Sequence, residues 1–277
     1  MASHPRTARV LSIAGSDSGG GAGIQADLKA FARCGVHGMS AITAITAQNT
    51  VGVTAIHEVP EEIVLAQVRA VVEDIGVDAV KVGMLAGARV VHAVALALSE
   101  LPGETPVVVD PVLIAESGAR LLDAGAERAL IEEILPRASV LTPNVPEARA
   151  LTGLAAGDGA GEREEAELLA RAVLALGPRA VVLTGGHRDR AVDVFVDGNG
   201  VAVEIPGERH PDGAGHGSGC THSSVLAARM ALGDTPLQAA RGARELAGEA
   251  VARGLRDLGA GAGPVDVLHI AARRRGG

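Results

Sequence analysis

The chain has 277 residues, of which 25 are Lys or Arg and 33 are Asp or Glu, so its formal net charge is −8. An acidic chain offers no general basic field to nucleic acid, and with only 1% aromatic residues it has no stacking platform for single-stranded bases. Apolar residues make up 47% of the chain, but no apolar run approaches the ~18 residues of a membrane span. We therefore expect a folded protein with a large core and with neither nucleic-acid nor membrane partners.

The two cysteines, Cys34 and Cys220, are too few for a disulfide framework, which favours a reducing compartment. The polar residues 1–9 are not followed by an apolar signal segment. Both observations predict a cytoplasmic protein. Because no long linker rich in Pro, Gly or Ser divides the chain, we expect a single domain over residues 1–277, with flexible tails at 1–8 and 271–277.

Short β-rich apolar runs alternate along the chain with patterns in which apolar residues lie three or four apart, as at Ile24, Leu28 and Phe31. The predicted strands are residues 9–14, 39–47, 54–59, 79–82, 107–110, 139–142 and 180–184. Residues 192–196 and 201–205 flank a turn and predict a hairpin at one edge. This alternation is typical of an α/β fold with a central, mostly parallel sheet and helices on both faces.

Glycine-rich or polar segments follow the predicted strands, at the edge where open α/β sheets bind ligands. The first, residues 15–23, contains five glycines and joins a strand to a helix. Its Gly21, Gly23 and Ala26 match the dinucleotide-binding pattern weakly, because the loop is long and the second strand ends at Gln48 rather than at an acid. A nicotinamide cofactor is therefore disfavoured, and a plain connecting loop is the alternative to a ligand-binding one.

The second glycine-rich segment opens a predicted helix over residues 223–231. The backbone of Gly217, Ser218 and Gly219 can present N–H groups to phosphate oxygens, with the helix dipole adding to the field. Cys220 lies at the helix start, where a thiolate is favoured and could take a proton from an attacking hydroxyl. The alternative is a small buried cysteine at a glycine turn.

Carboxylates follow two further strands. Asn144 and Glu147 could hold Mg²⁺ through water, since that ion combines a few oxygen ligands with substrate phosphates. A helix-capping box is the alternative for this pair. Asp110 ends a run of three valines, where an acid either acts in the site or caps the following turn.

Four histidines lack the spacing of zinc ligands: His187, His210, His216 and His222. We expect them to be structural or exposed, with His187 and His216 near the site.

Six segments together resemble one family in content and order. They are residues 14–27 (AGSDSGGGAGIQAD), 47–50 (AQNT), 81–85 (KVGML), 109–112 (VDPV), 142–147 (TPNVPE) and 216–221 (HGSGCT). This set resembles the hydroxymethylpyrimidine/phosphomethylpyrimidine kinases of thiamine biosynthesis, within the ribokinase-like superfamily. The resemblance implies a three-layer fold and ATP-dependent phosphorylation of 4-amino-5-hydroxymethyl-2-methylpyrimidine, then of its monophosphate.

The resemblance also implies roles for single residues. Gln48 and Met84 match positions that contact the pyrimidine, with Ala22, Asp27 and Val112 nearby. Gln48 carries the donor and acceptor that an aminopyrimidine edge requires, and Met84 offers an adaptable apolar face.

Residues 217–219 match the anion hole of the family, and Cys220 stands in place of the aspartate base of sugar kinases. Asn144 and Glu147 match the magnesium-associated motif, and we expect Asp110 to join Glu147 at the metal. ATP and Mg²⁺ are the implied cofactors.

Thr184 stands where family members commonly have a lysine, just before a Gly-Gly-His segment that includes Gly186. We expect Thr184, Gly186 and Asn144 to border the nucleotide, where the threonine at position 184 removes a possible cation. Because relatives are often dimers, we also expect a homodimer.

Three other functions compete with this one. The nearest is a pyridoxal kinase of the same superfamily. A non-catalytic pyrimidine-binding regulator is kept open by Thr184, and a Rossmann dehydrogenase is weakened by the missing ribose-binding acid.

Overall fold

One nine-stranded sheet forms the centre of the protein. The structure is a computed structural model, and it describes residues 6–113, 122–155, 162–185, 191–211 and 213–273. The strands are β1 (Arg9–Asp17), β2 (His37–Gln48), β3 (Val53–Glu58), β4 (Ala79–Val82), β5 (Val107–Val109), β6 (Val140–Leu141), β7 (Ala180–Leu183), β8 (Val192–Asp197) and β9 (Ala202–Pro206). Their order across the sheet is β3-β2-β1-β4-β5-β6-β7-β8-β9. The six strands from β2 to β7 pair in parallel, and β3, β8 and β9 add antiparallel edges. The predicted α/β fold with its mostly parallel sheet is confirmed.

Helices cover both faces of the sheet in the described part of the chain. They are α1 (Gly23–Arg33), α2 (Glu61–Asp74), α3 (Ala88–Ser99), α4 (Ala124–Ala129), α5 (Val145–Thr152), α6 (Glu162–Leu174), α7 (Ser218–Ala231), α8 (Pro236–Ala252) and α9 (Ile270–Arg273). Val107 and Val109 of β5 pack into one core with α2, α3 and α6, whereas Val108 packs into a second core with α1, α7 and α8. Strands buried on both faces explain why the apolar runs are continuous. No described helix has the length and apolar character needed to cross a bilayer.

Three element boundaries differ from the sequence prediction by three or more residues, and two of them shape the site. β1 continues to Asp17 through a bulge between Ala14 and Ser16, so the first third of the expected loop is strand. α7 begins at Ser218 rather than at residue 223, which makes Gly217 the residue that caps it. Part of the expected carboxy-terminal tail is the helix α9, whose first N–H groups are accepted by Asp266.

The order in which the parallel strands are added to the sheet reverses at β1, because β2 lies on one side of it and β4 on the other. In such sheets ligands bind beyond the carboxyl ends of the strands, next to the reversal point. The carboxyl ends of β1, β4 and β5 are therefore the expected place of the active site.

The opposite edge of the sheet, where the parallel strands begin, carries a structural ion pair. Asp78 accepts hydrogen bonds from the backbone N–H, Nε and Nη2 of Arg9 at 2.9, 2.9 and 2.8 Å, which ties the start of β1 to the start of β4. We expect Asp78→Ala to lower the free energy of unfolding by about 1–3 kcal/mol, because buried donors lose a charged acceptor. Urea denaturation measures this loss. Since the pair is remote from the carboxyl edge, the kinetic constants of the folded variant should be unchanged, and a changed KM would refute this separation.

Candidate active site

A fully buried ion pair lies beneath the carboxyl edge of the sheet. Lys81 of β4 is 0% exposed, and its Nζ lies 3.0 Å from Oδ1 and 3.2 Å from Oδ2 of Asp27 in α1. Asp27 also accepts hydrogen bonds from Ser12 of β1 at 2.6 Å and from Ser224 of α7 at 2.7 Å. Two strands and two helices therefore meet at one carboxylate.

This burial gives Asp27 a different place from the one the resemblance implied. Its carboxylate is 0% exposed and is occupied by Ser12, Ser224 and Lys81, so it holds the lysine instead of lining the pyrimidine pocket. Burial opposes the charge on Lys81, but Asp27, Cys220 and Asp110 outweigh it and raise the pKa of Lys81 above its ordinary value. The ammonium form of Lys81 is therefore favoured.

Asp110, directly after β5, extends this network toward the site. Its Oδ2 lies 4.0 Å from Lys81 Nζ and accepts a hydrogen bond from Ser223 of α7 at 3.1 Å. A Cβ placed on Gly219 would lie 4.0 Å from the same oxygen, so the carboxylate stands beside the first turn of α7. Burial raises the pKa of Asp110, against the opposing influence of Lys81 and Ser223.

Asn144 and Glu147 form the capping box that was the alternative to a metal role. Asn144 Oδ1 accepts from the N–H of Glu147 at 2.8 Å, and Glu147 Oε2 accepts from the N–H of Asn144 at 2.9 Å. Glu147 is nonetheless buried, and burial together with the charge of Asp110 raises its pKa to about 8. A pair of neighbouring carboxylates whose charges disfavour one another is a site that a cation would stabilise.

Asp110 and Glu147 therefore fit a magnesium ion. No cluster of three or more His, Cys, Asp or Glu side chains suited to a metal occurs in the described ranges. An ion held here would take its remaining ligands from water and substrate phosphates, as Mg²⁺ commonly does.

The two glycine-rich segments pack directly against each other. Gly217 has φ +82°, and a Cβ on it would lie 1.8 Å from the carbonyl oxygen of Gly21. Asp17 joins the segments, because it accepts from the N–H groups of Gly21 and Ala22 at 2.9 and 2.8 Å and lies 3.1 Å from Nε2 of His216. The first segment is therefore fixed against the second, and His216 lies between them as expected of a residue near the site.

Asp17 also limits which backbone donors of the first glycine-rich segment can meet an anion. It accepts from the N–H groups of Gly19, Gly21 and Ala22, which precede α1, and these N–H groups and His216 hold its pKa below the usual range although burial opposes them. In the first turn of α7, the N–H of Ser218 donates to the carbonyl of Gly215, whereas the N–H groups of Gly219 and Cys220 have no acceptor among the described backbone carbonyls. The start of α7 therefore keeps two backbone donors for an anion.

The thiol of Cys220 does not favour its ionised form. Burial raises its pKa to about 12, the charges of Asp110 and Asp27 act in the same direction, and Lys81 opposes them. The expectation of a favoured thiolate is therefore wrong for the protein without substrate, because desolvation outweighs the helix dipole. Cys220 keeps partial solvent exposure at the start of α7.

The side chains expected around the pyrimidine surround the end of β1. Met84 packs in a small apolar cluster with Ala44 and Val112, and a Cβ on Gly15 would lie 3.2 Å from the sulfur of Met84. Gln48 ends β2, where its Oε1 accepts from Thr46 at 3.1 Å. Its amide nitrogen makes no hydrogen bond within the described ranges.

Ala22, directly before α1, belongs to the first glycine-rich segment and lies against Gly217 of the second, since a Cβ on Gly217 would be 3.4 Å from its Cα.

The nucleotide side is described up to Gly185. Thr184 forms an isolated bridge with Asn144, and its hydroxyl lies 3.4 Å from the carbonyl oxygen of Pro143. These two expected nucleotide contacts are therefore neighbours. Gly186 and His187 lie outside the described residues.

Sequence reasoning missed Lys81 and Asp17. A lysine inside the continuous apolar run of residues 79–82 was the available signal, since a charge in a strand buried on both faces requires a partner. Asp17 lay within a segment that we took for loop.

Phosphate oxygens can bind at the carboxyl ends of these strands, because the start of α7 presents free N–H donors. Asp110 and Glu147 can hold a cation beside them. The sheet order and this arrangement define a small-molecule kinase with the ribokinase-like fold. The family model for phosphomethylpyrimidine kinase matches residues 17–266, and the chain belongs to that family.

Three known proteins show the similarity. A hydroxymethylpyrimidine/phosphomethylpyrimidine kinase from Rhizobium meliloti is 47% identical over 266 residues, covering 95% of this chain and 98% of the relative. The solved phosphomethylpyrimidine kinase of Clostridium difficile is 39% identical, with a TM-score of 0.74 over 85% of this chain and 96% of that one. The Staphylococcus aureus pyridoxal kinase, solved with AMP-PCP and pyridoxal, has a TM-score of 0.85 at 29% identity, over 96% of each chain. Sequence identity is higher for the pyrimidine kinases, and the TM-score is higher for the pyridoxal kinase.

Lys81→Met tests the buried ion pair. It leaves Asp27 charged in the core without its partner, and we expect the free energy of unfolding to fall by about 3–5 kcal/mol. The double variant Asp27→Asn/Lys81→Met should recover most of this loss but not the activity. Urea denaturation with kcat on the folded fraction measures both, and an active double variant would show that the charge is not needed.

Proposed function

We propose that the protein transfers the γ-phosphoryl group of ATP to the hydroxyl of 4-amino-5-hydroxymethyl-2-methylpyrimidine, and then phosphorylates the resulting monophosphate, in thiamine biosynthesis. One observation carries the proposal. The first turn of α7, with Cys220 and the free N–H groups of Gly219 and Cys220, lies beside Asp110, whose carboxylate is 4.0 Å from Nζ of Lys81. Membership of the phosphomethylpyrimidine kinase family supports the same substrate.

Each part of the site has a task in this reaction. The apolar faces of Met84 and Val112 hold the ring, and the free amide nitrogen of Gln48 reads its polar edge. The N–H groups of Gly219 and Cys220 bind oxygens of the transferring phosphoryl group, where negative charge must be stabilised. Bound Mg²⁺, held by Asp110 and Glu147, would neutralise further phosphate charge.

The proton of the attacking hydroxyl passes to Cys220. The oxygen of the substrate forms a bond to the γ-phosphorus as the bond to the leaving ADP oxygen breaks, and the hydroxyl proton moves to the sulfur. Only the thiolate can accept it, and Lys81 favours that form electrostatically. Phosphoryl transfer places limited demand on a base, because its transition state is loose.

The reaction is tested by mass analysis of products after incubation with ATP, Mg²⁺ and the hydroxymethylpyrimidine. We expect the mono- and then the diphosphate in step with ADP. ADP without phosphorylated pyrimidine would refute the proposal, and binding without any product would favour the non-catalytic regulator.

The pyridoxal kinase alternative keeps support from the TM-score of 0.85 with the Staphylococcus aureus enzyme. The competing-substrate version of the same assay, with pyridoxal and the pyrimidine at equal concentration, separates the two functions. Preferential phosphorylation of pyridoxal would reverse the assignment.

Cys220→Ala tests the role of the sulfur. We expect kcat to fall by roughly 10²–10⁴, the range for loss of a general base, with the dissociation constant of the pyrimidine unchanged. Cys34→Ala is the matched control, because Cys34 ends α1 away from the carboxyl edge. Turnover of Cys220→Ala equal to that of the control would exclude the thiol as the base.

Gln48→Ala tests recognition of the ring. We expect pyrimidine affinity to weaken by about 1–3 kcal/mol, since a polar edge of the ligand loses its partner, and ATP affinity to stay unchanged. Isothermal titration calorimetry measures both ligands. Equal losses would assign Gln48 a structural role at the end of β2.

We also propose a cytoplasmic homodimer. The cysteines Cys34 and Cys220 are free thiols, which suits a reducing compartment. Ile45 of β2 is 53% exposed beside the edge strand β3, and a second copy of the chain would bury it.

A further inference from the structure

A second buried polar contact, between a carboxylate and an imidazole, lies on the nucleotide side of the sheet. Asp193 of β8 is 0% exposed and His222 of α7 is 4% exposed, with Oδ2 of Asp193 lying 3.3 Å from Nε2 of His222. We expected His222 to be structural or exposed, and the two residues are 29 positions apart in the chain. No part of the proposed chemistry uses this pair.

Asp193 also fixes the point where β7 leaves the sheet. Its Oδ1 accepts a hydrogen bond from the N–H of Gly185 at 2.9 Å and lies 3.8 Å from Nη1 of Arg244. A Cβ on Gly185 would lie 1.9 Å from the carbonyl oxygen of Val192, so the backbone passes here in direct contact with β8. Gly185 directly follows Thr184, whose position at the end of β7 is therefore set by Asp193.

His222 connects the carboxylate of Asp193 to the start of α7, where the anion would bind. It lies on the first turns of α7, two residues after Cys220 and three after Gly219. Asp193 thus links the strand end that carries Thr184 to the helix start that presents its N–H groups.

The contact between Asp193 and His222 contributes little to the stability of the fold by itself. Oδ2 of Asp193 and both ring nitrogens of His222 lack a well-aligned hydrogen bond among the described residues, although the two groups are in contact. Buried ion pairs with unmet hydrogen bonds are often less stabilising than apolar side chains of the same size. Burial opposes the charge of Asp193, yet His222, Arg244 and the Gly185 N–H hold its pKa below the usual range, so the carboxylate stays charged.

We propose that Asp193 and His222 are positioning residues for the nucleotide, which hold the end of β7 at a fixed distance from the start of α7. The inference rests on the proposed kinase function for its ligand. The pair touches neither the pyrimidine pocket nor the buried Lys81, so its effect is confined to the phosphate side of the site.

His222→Leu tests the proposal, and His222→Gln is the conservative partner because its amide nitrogen can reach Asp193. We expect His222→Leu to raise the dissociation constant of AMP-PCP about tenfold with that of the pyrimidine unchanged, and His222→Gln to restore most of the affinity. Calorimetry on the full chain measures both ligands separately. Asp78→Ala is the matched control, since it also breaks an ion pair but at the opposite edge.

If His222→Leu does not fold, Asp193→Asn provides the same test, because it removes the charge and keeps an oxygen for Gly185. Equal weakening of both ligands, no weakening, or failure of His222→Gln to restore affinity would overturn the proposal. Binding needs no turnover, so a selective loss of AMP-PCP affinity in a chain that phosphorylates no pyrimidine would refute the proposed function and leave this inference standing.

Discussion

The ion pair between Lys81 and Asp27 is the constraint on which the rest of the site depends. A fully buried ammonium is stable only with a partner, and here the partner is a carboxylate that also accepts from Ser12 and Ser224. Because those groups come from β1, β4, α1 and α7, the pair fixes how the helix that carries Cys220 sits on the sheet. It also supplies the positive charge beneath Asp110, so that a site built from carboxylates can approach phosphate.

Backbone geometry supplies the second constraint. The left-handed conformation of Gly217, in contact with the carbonyl of Gly21, lets the two glycine segments approach closely. Asp17 then takes up N–H groups of the first segment, whereas those of Gly219 and Cys220 at the start of α7 keep no backbone acceptor. These free donors lie on the helix that carries Cys220, where the proposed phosphoryl transfer needs them.

Much of the fold could be read from the sequence, because strands buried on both faces give continuous apolar runs such as residues 107–110. Gln48 and Met84 were proposed from the segments that resemble the family, and Cys220 was proposed already from the glycine-rich segment ahead of a helix. The pairs Lys81–Asp27 and Asp193–His222 could not be found, since they join distant residues whose proximity only the strand order decides. The ionisation of Cys220 was predicted with the wrong sign, because the sequence shows a helix start but not how much solvent its burial removes.

The charge of Lys81 can be measured directly. The chain has only two lysines, Lys29 and Lys81, so protein labelled with ¹⁵N-lysine gives two side-chain signals, which Lys29→Arg assigns. The account predicts that Lys81 keeps its ammonium signal at pH 10.5, the ordinary pKa of a lysine. The reason is that the carboxylate of Asp27 raises the pKa of Lys81 above that value. A neutral-amine signal from Lys81 near pH 7 would contradict the account, since the site would then lack the cation that balances its carboxylates.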